Sequence, residues 1–338
     1  MGIETQFRAI VVDRTEDAEG RKTQSSALRL VDDGFLMPGD VTVVVEYSGI
    51  NFKDGLALMG RPGVVRVWPL IAGIDLVGTV ESSTDPRWST GDRVILNGAG
   101  LGETHHGGLA ERARVSGASL VRLPAGISAK RAAAIGTAGF TAMLSVLALE
   151  QGGITPDSGD VLVTGAAGGV GSIAIALLAV RGYRVHASTG RADELGGYLR
   201  GLGAADLVDR RTLSDAGKPL QAQRWAAAID SVGSSTLANV LAQMNYGGVV
   251  AACGLAQGPD LPTTVMPFIL RAVSLIGINS VEAPLSLREK AWGRLAADLD
   301  LGLLDDLTEE IGLDDAFGAA ERILAGTIHG RTVVDVRA

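Results

Sequence analysis

The chain has 338 residues, a formal charge of −8 and a single cysteine, Cys253. That length suits two domains, the acidic balance argues against a general nucleic-acid binder, and one cysteine excludes an intrachain disulfide. The opening residues do not resemble a signal peptide and no stretch reads as a membrane span, so a cytoplasmic protein outside the membrane is expected.

Residues 1–127 read mainly as β-structure. Segments 7–13, 41–47, 74–81, 92–96, 108–115 and 120–123 alternate or run apolar with β-branched residues. Pro38-Gly39-Asp40, Asp85-Pro86 and Thr90-Gly91-Asp92 separate them as turns. Many short strands with glycine-rich turns predict a barrel-like β domain. From Ser128, a helix cap, residues 129–150 turn helical in spacing, and a loop over 152–159 follows.

The stretch 161–191, VLVTGAAGGVGSIAIALLAVRGYRVHASTGR, organises the rest. An apolar run over 161–164 reads as a buried strand, an apolar run over 173–180 as a helix, and 183–188 as a second strand. Between strand and helix stand Gly165, Ala166, Gly168, Gly169, Val170 and Gly171. Glycines there let the backbone turn sharply and approach a pyrophosphate, and the helix start aims unpaired N–H groups at it. The second strand runs out as Thr189-Gly190-Arg191 with no carboxylate before Asp193. An acidic residue there would grip a ribose 2′-hydroxyl, whereas arginine suits a 2′-phosphate. Arg191, with Arg210 and Arg211 after the next strand, therefore favours NADPH over NADH.

Further elements alternate: a helix over 193–202, strands over 206–208 and 225–230, a helix over 236–244, strands over 248–253 and 275–278. That alternation predicts a doubly wound parallel α/β sheet. Helices are expected over 286–299 and 313–325. A last strand over 332–336 is expected to return to the first domain, making it discontinuous: 1–127 completed by 300–338, around a cofactor domain of 128–299.

The motifs Asn51-Phe52-Lys53-Asp54, PLIAGIDLVGTV, GGLAERARV, GTAGFTAML, TGAAGGVGS, LPTTVMPFILR and HGRT resemble the YhdH-type acrylyl-CoA reductase family. That family lies in the zinc-free quinone oxidoreductase branch of the medium-chain dehydrogenase/reductase superfamily. The resemblance implies a GroES-like β-barrel catalytic domain and a Rossmann cofactor domain. It implies NADPH-dependent reduction of a carbon–carbon double bond conjugated to a carbonyl, with acrylyl-CoA giving propanoyl-CoA. It also implies phosphate contacts at Gly168, Gly169, Val170 and Gly171, adenosine-side contacts at Thr189, Gly190, Arg191 and Arg210, and nicotinamide-side contacts near Leu255, Ile269 and Ser280. Phe52 stands where the family has a cofactor-facing tyrosine, a departure that removes a hydroxyl.

Chemistry narrows the roles. A catalytic zinc needs about three Cys, His or carboxylate ligands. The β domain has no cysteine, and His105 and His106 are neighbours that do not converge on one ion. Hydride addition to an activated double bond remains, with the developing enolate oxygen stabilised by donors. Asn51 and Lys53 are the candidates, with Asp54 orienting Lys53 or capping the next helix. Arg61 and Arg66, in GRPGVVRVWP, are candidates for CoA phosphates, with Arg271 and Arg331 behind them. Tyr246 and Cys253 are expected to be structural. Quinone or enone reduction is the alternative activity, and a non-catalytic NADPH-binding protein the lesser one. A homodimer paired through an edge strand at 275–279 is expected by analogy with the fold class.

Overall fold

The structure, a computed structural model, describes residues 6–338. Its contacts divide into two compact units. The first comprises the described residues up to Thr137, with Ser280–Ala296 and Leu304–Ala338; the second comprises Ala138–Asn279 and Ala297–Leu303. The division lies ten residues beyond the expected limit of 127, and it places 280–296 with the first unit rather than with the cofactor domain.

In the first unit, strand Val41–Ile50 is the hub. Its residues alternate between Val41, Val43 and Val45, all fully buried, and outward partners, the period-2 pattern of a half-buried strand. It pairs antiparallel with Asp75–Ser83, with Arg112–Val115 and, at its far end, with Arg331–Asp335 (Thr332 opposite Ile50). The sheet runs Thr308–Gly312, Arg331–Asp335, Val41–Ile50, Asp75–Ser83, Arg93–Asn97, Val121–Arg122. A second, three-stranded sheet joins Phe7–Glu16 to Lys22–Val31 and Leu70–Ile71. Leu76, Val80, Val94, Leu96, Leu109 and Val334 fill the core.

The second unit is one parallel sheet in the order Asp206–Asp209, Val185–Thr189, Val161–Val163, Trp225–Asp230, Met244–Ala252, Ser274–Gly277. Counted along the chain that order is 3-2-1-4-5-6, the doubly wound arrangement whose switch point lies between its first and fourth strands. Val161–Val163 and Trp225–Asp230 are buried at every position, as strands covered on both faces must be.

The helix Ala129–Gln151 is capped by Ser128, whose Oγ accepts the Arg131 N–H at 3.2 Å. It breaks at Gly136, with φ 49° and ψ −160°. This helix has the length and apolarity of a membrane span, which the sequence reading did not find (mean hydropathy 1.8). However, 94% of its apolar window is buried in the fold, which accounts for its composition.

Three further elements differ from expectation. Strand Lys22–Val31 opens on the polar run KTQSS without apolar alternation, Leu28 and Val31 pack against the cores near its end, and its ten-residue register with Phe7–Glu16 organises it. Strand Thr308–Gly312 carries two glutamates and forms by parallel pairing to Arg331–Asp335. Helix Met266–Arg271 begins with Pro267 in its first turn, a favourable place for a residue without an N–H.

Candidate cofactor and active site

The phosphate turn follows from two glycines. Gly165 sits at φ 57°, and a Cβ there would meet Ser231 Oγ at 2.2 Å. At Gly171 a Cβ would lie 2.4 Å from the Gly165 carbonyl oxygen. A side chain at either position would push the turn open. Gly168 caps the helix Gly169–Val180, whose first helical hydrogen bond runs from Ser172 N to Gly168 O (2.9 Å). The amides of Gly169, Val170 and Gly171 precede that bond, and such amides bind anions at a helix N-terminus. Ala166 is buried; its N–H reaches the Ser188 carbonyl at 3.4 Å, so turn and second strand lie side by side. The residues fit a dinucleotide pyrophosphate.

At the end of that second strand the Thr189 hydroxyl accepts the Arg191 N–H (3.1 Å), and the Thr189 carbonyl accepts the Arg210 N–H (3.1 Å). A Cβ on Gly190 would collide with Arg210 Nε at 2.5 Å, so the Arg210 side chain lies directly against that glycine. Arg191 makes a long pairing to Glu194, at 3.7 Å. Two guanidinium groups thus flank the strand end. Arg211, grouped with them from sequence, instead forks onto Asp209 through bonds of 2.6–3.1 Å. Leu255 and Ile269 are exposed large apolar residues of the same unit. Ser280 belongs to the other unit, where its carbonyl accepts from Arg288 at 3.2 Å.

The expected catalytic group is reassigned by its bonds. The Asn51 side chain is fully engaged inside the first unit. Its Nδ2 donates to Asp54 Oδ2 (3.0 Å) and to Asp75 Oδ2 (2.8 Å), and its Oδ1 accepts from Arg331 Nη1 (3.1 Å). With every amide valence used, it has no donor left for an enolate oxygen. Asp54 does cap the helix Phe52–Leu58, accepting the Asn51 N–H at 2.8 Å, and it also accepts the Ile74 N–H at 3.0 Å. Its carboxylate is engaged by Asn51 and Ile74, and the Lys53 ammonium finds its partner elsewhere. Burial first, then the neighbouring Asp75, pushes the Asp54 carboxyl up to about 7. Lys53 Nζ pairs with Glu103 Oε1 at 2.6 Å and stays half exposed. Phe52, the first residue of the helix, is 48% exposed.

Asp75 was missed from sequence. It accepts from Asn51, Asn97 (2.8 Å), the Thr137 hydroxyl (2.6 Å) and the Thr137 N–H (3.0 Å). The signal was a carboxylate inside the apolar run GIDLVG. Arg331 and Arg271 are not free for CoA phosphates. Arg331 is buried and donates to Ala134 O at 2.7 Å, and Arg271 donates to the carbonyls of Ala242, Met244 and Gln221 at 2.6–3.2 Å. Arg61 and Arg66 are exposed.

The metal question turns on donors. His106 accepts the Ile71 N–H at Nδ1 (3.0 Å), which makes Nε2 the donor to Phe35 O (2.9 Å). His105 Nε2 lies 2.8 Å from Arg114 O. Among the described residues no group of three His, Cys, Asp or Glu is placed to hold an ion, so these side chains do not fit a catalytic zinc. The Cys253 thiol is pushed up to about 12 by burial and then by Asp230, which disfavours the thiolate form that reacts. Tyr246, expected to pack structurally, is instead 76% exposed.

Comparison with known proteins bears on this arrangement. Residues 37–125 match the alcohol dehydrogenase GroES-like domain, and residues 169–297 match the zinc-binding dehydrogenase family. The chain is 50% identical to the acrylyl-CoA reductase AcuI of Ruegeria pomeroyi, over 98% of this chain and all of that one. It is 49% identical, over 88% of its length and 91% of the other, to a Bacillus subtilis protein named as a quinone oxidoreductase, YhfP. The crystal structure of the yhdH oxidoreductase from Salmonella enterica in complex with NADP superposes with a TM-score of 0.93. That match has 50% identity and covers 97% of this chain and 99% of that one. With its GroES-like domain, doubly wound cofactor sheet and full-length likeness to AcuI, the chain belongs to the medium-chain dehydrogenase/reductase superfamily and, within it, to the acrylyl-CoA reductase family.

Proposed function

We propose that this protein catalyses the NADPH-dependent reduction of the conjugated double bond of an enoyl thioester, acrylyl-CoA to propanoyl-CoA. The full-length identity to an acrylyl-CoA reductase carries the reading, and the arginine-flanked strand end supports NADPH. The parallel-sheet unit is assigned to the cofactor and the β-rich unit to the substrate.

Held at the Gly165–Gly171 turn and the arginine-flanked strand end, NADPH would supply the hydride for the substrate β-carbon. The chain binds and orients. Amides of Gly169, Val170 and Gly171 take the pyrophosphate, and Arg191 and Arg210 take the 2′-phosphate. The thioester carbonyl absorbs the developing charge as an enolate, without zinc. Lys53 and backbone amides are its donors, since the Asn51 amide is used up inside the fold. Phe52 has no hydroxyl to give, so the α-carbon takes its proton from water. Arg61 and Arg66 are assigned to CoA phosphates.

Reduction of a quinone or free enone is the second reading, favoured by the likeness to YhfP. Loss of NADPH absorbance with acrylyl-CoA, beside a simple quinone, separates the two. Fast turnover of the thioester and slow turnover of the quinone is the expected result; turnover of the quinone alone replaces the first reading by the second.

Our reading includes a homodimer. Edge strand Ser274–Gly277 is accompanied in its unit by exposed Val265, Met266, Leu270 and Tyr246, the kind of apolar surface that marks an interface. It also includes a cytoplasmic location, on the single poorly accessible thiol.

A further inference from the structure

The fourth strand of the parallel sheet, Trp225–Asp230, ends on a carboxylate to which nothing above gives a role. Asp230 is fully buried. Its Oδ1 accepts the Thr164 hydroxyl at 2.6 Å, and its Oδ2 accepts the Gly233 N–H at 2.8 Å. Thr164 is the residue before Gly165, at the carboxyl end of the first strand. Gly233 caps the helix Ser234–Ala242. One carboxylate therefore grips both sides of the switch point, where doubly wound sheets bind their ligands.

The neighbouring bonds extend that grip to a third loop. Ser231 N donates to Thr164 Oγ1 (3.1 Å) and Ser231 Oγ to Thr164 O (3.2 Å), with the hydroxyl filling the space that Gly165 leaves open. On the other side, Cys253 N donates to Asp230 O (2.8 Å) and Gln257 N to Val232 O (2.8 Å). Gly233 bridges Gly258, and a Cβ on Gly233 would lie 3.2 Å from Leu255 Cα. The turn at Gly165, the turn at Gly233 and the loop Cys253–Gly258 are packed backbone to backbone around Asp230. Burying a carboxylate is costly unless its oxygens are satisfied, and here both oxygens are used to join separate loops.

We propose that Asp230 is a positioning residue for the cofactor, fixing the phosphate turn at Gly165–Gly171 relative to the loop that carries Leu255. The inference rests on the NADPH reading. Without the tie, the loops would have to be ordered on binding, and that cost appears as weaker affinity. Because the tie lies at the turn and not at the 2′-phosphate, it affects NADPH and NADH alike.

The test is cofactor binding to the full chain, followed by NADPH and NADH fluorescence, with thermal unfolding of the cofactor-free protein alongside. Thr164→Val removes the hydroxyl and leaves the Asp230–Gly233 bond. It is expected to raise Kd for both nucleotides in the same proportion, about tenfold. Thr164→Ser is expected to restore it, and Asp230→Asn to behave like Thr164→Val wherever it folds. A lowered Tm with Kd unchanged would make Asp230 purely structural and overturn the proposal. A loss confined to NADPH would overturn it too, placing the effect at the 2′-phosphate. Failure of the unmodified protein to bind either nucleotide would count against the NADPH reading itself and is distinct from both.

Discussion

Phe52 shows how one side chain can bound a mechanism. It opens a helix of the first unit and is half exposed, at the position that the resemblance pairs with a cofactor-facing tyrosine. In our reading water completes the reaction, so Phe52→Tyr is expected to leave kcat within about threefold; a rise of about a hundredfold would assign the proton to a phenol instead. Asp54 makes a different kind of prediction. Its folded carboxyl is pushed up to about 7, so between the ordinary carboxyl value and that point the native state holds a proton that the unfolded chain has released. This group's contribution to stability therefore declines as pH rises from about 4 to about 7, on the order of 1.4 kcal/mol per pH unit, and is level above that. Urea unfolding at about pH 5 and about pH 6.5 measures the slope, with about pH 8 as the level region, and Asp54→Asn is expected to remove it. Arg191→Ala is expected to raise the KM for NADPH about ten- to a hundredfold and to leave that for NADH nearly unchanged. Equal losses for both cofactors would place this guanidinium elsewhere. The position of Arg191 and Arg210 at the strand end was legible because it depends on local sequence. Asn51 was not, because its role is decided by Asp75 and Arg331, which lie 24 and 280 positions away in the chain.

The elements show where local pattern suffices. Strands Val161–Val163 and Trp225–Asp230 are apolar runs that become fully buried, so composition alone located them. Strand Lys22–Val31 could not be located that way. Its opening residues KTQSS carry no apolar alternation, and its pairing with Phe7–Glu16 supplies what its composition lacks. Helix Ala129–Gln151 lies between these cases: its period was readable, its break was not. Gly136 has φ 49°, and a Cβ there would stand 2.7 Å from both Arg331 Nη2 and Asp75 Oδ2. Gly136→Ala is accordingly expected to destabilise the protein by about 2–4 kcal/mol, read as a fall in the urea midpoint with unchanged slope.

For the molecule as a whole, the doubly wound parallel sheet and the return of the last strand to the first unit were legible from the alternation of periods, whereas the strand order 3-2-1-4-5-6 and the pairing with Val41–Ile50 come from the structure. The assignment of 280–296 to the first unit was not. It depends on the Arg288 guanidinium, which binds the carbonyls of Ala283, Asn97, Ser280 and Val281 at 2.6–3.2 Å. Association is the property of the whole that remains to be measured. Leu270→Glu is expected to shift sedimentation from dimer to monomer at micromolar concentration; an unmodified protein that already sediments as a monomer would remove the dimer from our reading.

The long apolar helix also bears on how the chain reaches this state. The carbonyl of Ala134 is satisfied by Arg331 Nε, 197 positions further on. On the ribosome, therefore, a segment as apolar as a membrane anchor has emerged long before the residue that locks its break has been made. Such a segment is a natural client for a holding chaperone. Refolding from urea should accordingly lose yield steeply as protein concentration rises, while the finished fold, with that surface buried, should not aggregate over the same range.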